Sequence, residues 1–121
     1  MRRDLSGAVD VERLEAFCAG DRGVVVEVLE LFREQAQIWM RLLGDPDAAE
    51  GFRDAAHTLK GASAGIFAQR LSDACDAAEA GAGQAPVQRE ILAERVRDAL
   101  DPVLMDIAAY LHAEAIAGLR G

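Results

Sequence analysis

Val25, Val28, Leu29, Phe32, Ala36, Trp39 and Leu43 recur at steps of three and four residues. That spacing puts side chains on one face of an α-helix. A strand cannot use it, because strand faces alternate at every second residue. So long a stripe commits the chain to helices that bury one face against each other. Val24, Leu31, Ile38 and Leu42 widen the stripe, which predicts a helix facing two neighbours. Asp21 is placed to cap its start, and Gly44-Asp45-Pro46 breaks it.

The same periodicity organises the rest. Residues 1–9 read as a loose lead-in. Asp10 caps a short helix over 11–19 that Gly20 ends. A third helix starts near Asp47, carries His57, and ends or bends between Gly65 and Ala68. A fourth, over 68–80, buries Leu71, Ala74, Cys75 and Ala78, and Gly81-Ala82-Gly83-Gln84-Ala85-Pro86 reads as the most flexible connection. From Val87 to Leu119, the residues Val96, Leu100, Val103, Ile107 and Leu111 keep one phase across Pro102. Either one kinked helix or a break with Asp101 as cap fits, and the unbroken phase favours the kinked helix. The predicted fold is all-α: an antiparallel four-helix bundle with an additional short N-terminal helix, forming one domain over residues 1–121.

Composition narrows the function. Trp39, Tyr110 and four Phe are the only aromatics among 51% hydrophobic residues, so Leu, Val, Ile and Ala must build the core. A formal charge of −8 argues against nucleic acid and against an anionic membrane surface. Cys18 and Cys75 lie among apolar helical residues and read as reduced thiols, which suits a cytoplasmic protein. They and the two histidines, His57 and His112, do not form a metal-binding spacing, so no metal is expected here. No uninterrupted apolar run reaches the roughly 18 residues of a membrane span. Met1-Arg2-Arg3-Asp4 does not lead into a signal core.

On the third helix, Phe52, Ala56, Leu59, Ser63 and Ile66 share one apolar stripe. His57 falls about 140° from Phe52, on the far face, with Arg53, Lys60, Gly61 and Ala64 within about 60° of it. Periodicity therefore puts an imidazole in water, among cations and very small residues. Asp54 is the only carboxylate near it on the same helix, which is weak support for a hydrolytic site. A nucleophile serving a group carried by another protein needs no pocket of its own. It needs exposure, a neutral ring nitrogen and nearby positive charge. Gly61 and Lys60 serve the first and the last. Ser63 lies on the inner stripe and is expected to bond back to the carbonyl one turn earlier.

His57-Thr58-Leu59-Lys60-Gly61, followed by Ser63, Gly65, Arg70 and Leu71, resembles the signature of histidine-containing phosphotransfer (Hpt) domains. The likeness extends to the order of helices along the whole chain. It implies a phosphoryl carrier that accepts phosphate on His57 from a receiver-domain aspartate, or from a histidine kinase, and relays it to another receiver aspartate. Lys60 would steady the phosphoryl group and Gly61 would give access, with Arg53, Asp54 and Ala64 meeting the partner. The implied partners are response-regulator receiver domains and a hybrid histidine kinase. Magnesium would sit in the receiver, no cofactor would be held here, and the protein would be a cytoplasmic monomer without kinase activity of its own. The rival readings are a helical adaptor that binds receivers without transferring phosphate, and a small hydrolase built on His57. Many Hpt domains have glycine ten residues after the histidine, where this chain has Phe67.

Overall fold

The structure is a computed structural model that describes residues 5–45 and 48–120. Met1 to Asp4 and the start of the third helix expected at Asp47 lie outside them. The described residues form five helices: α1 (Val11–Phe17), α2 (Arg22–Leu43), α3 (Ala49–Gly65), α4 (Gln69–Ala80) and α5 (Pro86–Arg120). The side chains of Asp10 and Asp21 accept from the backbone N–H of Arg13 and Val24, each at 3.2 Å, so both expected caps are formed.

The packing follows the apolar stripes. α2 buries Val25, Leu29, Phe32, Ala36 and Leu43, and α3 buries Phe52, Ala55, Ala56, Leu59 and Ser63. These meet Leu71, Cys75 and Ala78 of α4 and Val96, Leu100, Val103, Ile107 and Tyr110 of α5. α2 packs on α3, α3 on α4, α4 on α5, and α5 closes the ring on α2, while α1 leans on α2. This is the all-helical bundle that the periodicity predicts. α2 thus has the two neighbours expected for it, α3 and α5, but Val24, Leu31, Ile38 and Leu42 do not serve that packing and are between 40% and 53% exposed.

α5 runs through Pro102 as one helix. Its apolar phase outweighs the backbone hydrogen bond that proline cannot donate. Over Pro86–Leu119 this helix is long and apolar enough to cross a membrane by length and composition alone, a test that the core helix of a bundle also passes. Asp106 and Glu114 interrupt it, so that no uninterrupted apolar run of that length occurs, as expected. In the bundle its inner face is occupied by the core.

Residues 5–9 are not a loose lead-in. Val9 is buried, and the buried carboxylate of Asp106 accepts from the N–H of Ser6 at 2.6 Å and of Val9 at 3.1 Å. The connection after α4 is also anchored. Gly81 and Ala82 are buried, and the Arg89 guanidinium donates to the carbonyls of Ala82 and Gln84.

α3 ends in a Schellman motif. Ala68 N–H bonds to Ser63 O at 2.9 Å and Phe67 N–H to Ala64 O at 3.0 Å. Phe67 holds the left-handed position with φ +59°, the conformation that a glycine takes without strain. Its ring lies edge-on to Phe17 at 5.9 Å and beneath the Arg13 guanidinium at 4.8 Å. These contacts hold a phenylalanine where the family pattern has glycine.

Candidate functional site

The turn between α3 and α4 is so short that the two helices must fold back on each other. Residues equally distant from the turn then face across the contact. His57 meets Glu79 and Lys60 meets Asp76, while Ser72 Oγ donates to Lys60 O at 3.3 Å. Beneath them, Ser63 Oγ donates to Leu59 O at 2.6 Å, the inward role expected of it. Cys75 is buried in the same layer, and burial pushes its thiol up to about 12.

The His57 side chain is 67% exposed, so the outward facing read from the helical phase is what the fold produces. Its Nδ1 lies 2.8 Å from Glu79 Oε2. An ionised carboxylate can only accept, which assigns the ring proton to Nδ1. The lone pair is then on Nε2, the nitrogen left free of that bond. Glu79 therefore orients the ring and, in the neutral imidazole, leaves the lone pair on Nε2.

Lys60 Nζ lies 3.0 Å from Glu79 Oε1 and 3.2 Å from Asp76 Oδ1. Hydrogen bonds to Glu79 and then Asp76 raise the lysine above its ordinary value. Chiefly through Lys60, and secondarily through His57, the Glu79 carboxyl is held below the usual carboxylate range. The face thus carries an exposed imidazole, one ammonium, and two carboxylates, Glu79 engaging both and Asp76 the lysine alone.

The other sequence candidates are distributed around this group. Gly61 and Ala64 are exposed, and a Cβ added at Gly61 would meet nothing within 4 Å. Arg53 is exposed one turn before His57, and its guanidinium reaches towards Gly83, 3.9 Å from where a Cβ there would sit. Asp54 is exposed, and no contact among the described residues joins it to the ring. Arg70 lies further off, lining a cleft of about 500 Å³ with Ser6, Arg13, Phe67 and Pro102. Sequence reasoning missed Glu79 and Asp76 because it looked for the carboxylate partner on the helix of His57. The signal was available in the mirrored spacing about the turn, which pairs 57 with 79 and 60 with 76.

The family model of the Hpt domain matches residues 24–117. No curated protein matches the chain. The crystal structure of the histidine phosphotransferase ShpA from Caulobacter crescentus is similar over 93% of this chain and 98% of its own, at 48% identity and a TM-score of 0.76. With an exposed histidine on the third helix of a matching bundle, the chain belongs to the Hpt domain family and is a histidine phosphotransfer protein of phosphorelays.

Proposed function

We propose that His57 is the phosphoacceptor and that Nε2 is the atom phosphorylated. The observation that carries this reading is the 2.8 Å bond between Nδ1 and Glu79, which leaves the other ring nitrogen unshared on an exposed face. The Nε2 lone pair attacks phosphorus of a receiver's aspartyl phosphate. The P–N bond forms as the P–O bond to the aspartate breaks, and the carboxylate leaves with the bonding pair. The reverse sequence hands the group to a second receiver. Glu79 accepts the Nδ1–H bond throughout and offsets the positive charge that the ring gains. Lys60 supplies the cation nearest the phosphoryl oxygens. Gly61 keeps the backbone bare beside the ring, and Arg53, Asp54 and Ala64 form the rim on which the partner rests.

In this reading the phosphate originates in a hybrid histidine kinase, the receiver brings the magnesium ion, and this chain holds no cofactor. It works as a cytoplasmic monomer and a carrier, with no kinase activity of its own. His57→Ala tests the assignment. Wild-type protein should take an acid-labile, alkali-stable phosphate from a phosphorylated receiver, and the variant should take none. Its fold should remain, with stability within about 0.5 kcal/mol of wild type, as for other exposed positions. Phosphate on the variant would reject His57. Receiver binding by wild-type protein without any labelling would favour the adaptor.

A further inference from the structure

We propose that Asp76 sets how phosphate divides between His57 and a receiver, by competing with the phosphoryl group for Lys60. The inference rests on His57 being the acceptor. Three observations lead to it. Asp76 touches the lysine and not the histidine: its Oδ1 is 3.2 Å from Lys60 Nζ, while the His57 ring is bonded to Glu79. The ammonium is already shared, with Glu79 Oε1 at 3.0 Å on its other side. Asp76 is also the more loosely held of the two carboxylates, its side chain 69% exposed against 26% for Glu79.

A phosphoryl group on Nε2 brings new anionic oxygens to this face. Lys60 can turn to them only by loosening an existing ion pair, and the exposed pair with Asp76 is the easier to give up. Until then Asp76 withholds part of the lysine's charge. That raises the free energy of phosphohistidine relative to the aspartyl phosphate of the receiver. Asp76 is therefore a positioning residue that acts through Lys60, and its effect is to push phosphate outward. No bond to phosphorus changes in this role. The transfer remains the Nε2–P exchange described above.

The test uses the full chain, charged with phosphoramidate, whose P–N bond breaks with loss of ammonia as Nε2–P forms. The charged protein is equilibrated with purified receiver domains, and the ratio of phosphohistidine to receiver phosphoaspartate is measured. With a receiver that exchanges with wild type, Asp76→Asn should raise this ratio by roughly two- to fivefold at low salt, the range that exposed ion pairs carry. The gain should shrink as salt screens the site. Asp76→Glu should restore the wild-type ratio, and in a Lys60→Ala background Asp76→Asn should have no effect. A ratio unchanged by Asp76→Asn, or a change that persists without Lys60, overturns the proposal. If wild-type protein takes phosphate from neither phosphoramidate nor a receiver, or if His57→Ala is still labelled, the acceptor assignment fails and this inference falls with it.

Discussion

At the scale of single residues, Gly61 separates stability from function most cleanly. Glycine inside a helix costs about 0.5–1 kcal/mol relative to alanine. Nothing in the fold requires it at this position, since a Cβ there would meet no atom within 4 Å. Gly61→Ala should therefore stabilise the protein by about 0.5–1 kcal/mol in denaturant melts while slowing phosphoryl exchange with a receiver. A variant equal to wild type in transfer would remove the access role. Glu79 gives a pH-dependent counterpart. Its carboxyl is depressed below the ordinary 4.5, first by Lys60 and then by His57. A depressed carboxyl stabilises the fold above its ordinary value and loses that contribution as pH falls through the lowered, folded value. Glu79→Gln should thus weaken the fall of stability below about pH 4.5, the ordinary carboxyl value, and should slow acceptance of phosphate by His57. Thermal melts across the acid range and labelling rates at neutral pH measure the two effects. His57, Lys60 and Gly61 were legible in the sequence because one helix fixes their relative phase. Glu79 and Asp76 were not sought, because their position depends on how a second helix pairs with the first.

At the scale of elements, helix ends were harder to read than helix faces. The phase of α5 across Pro102 is a property of many residues together and survives one residue that disfavours it. An end depends on a single backbone angle. Gly20 was expected to stop α1, and it does take a left-handed angle, φ +77°, but the left-handed turn already begins one residue earlier at Ala19, with φ +56°. The end of α3 falls on Phe67 in the same conformation, a state that propensity does not assign to phenylalanine. Ring contacts with Phe17 and Arg13 compensate for the strain. A pair of substitutions separates these contributions. Phe67→Ala removes the rings' contact and keeps the strained angle, whereas Phe67→Gly removes both. The glycine variant should be more stable than the alanine variant by about 1 kcal/mol, the cost of a left-handed angle for a residue with a Cβ. Equal stabilities would mean that the angle costs nothing here.

For the whole molecule, the bundle separates two tasks along its length. The His57 face lies midway along α3. The end at Phe67 is closed by residues 5–10, which bond to α5 and to the turn after α3, where Asp10 N–H donates to Phe67 O at 3.0 Å. The sequence showed polar and small residues there and no periodicity, so nothing in it revealed that a carboxylate ninety-seven positions away would hold Val9. Asp106 is the centre of this closure. It is 2% exposed and accepts two backbone N–H groups, that of buried Val9 and that of Ser6 at the surface. Asp106→Ala should leave the buried Val9 donor unpaired and cost about 1–3 kcal/mol in a denaturant melt. It should also speed hydrogen exchange at Ser6 and Val9, because each depends on that carboxylate. Eight residues of α3, about 12 Å at the α-helical rise, lie between His57 and the end of the helix at Gly65, just before Phe67. Phosphoryl exchange at His57 should therefore proceed at the wild-type rate at temperatures where the variant is folded. Loss of exchange from a folded Asp106→Ala protein would show instead that the closed end holds the His57 face in place.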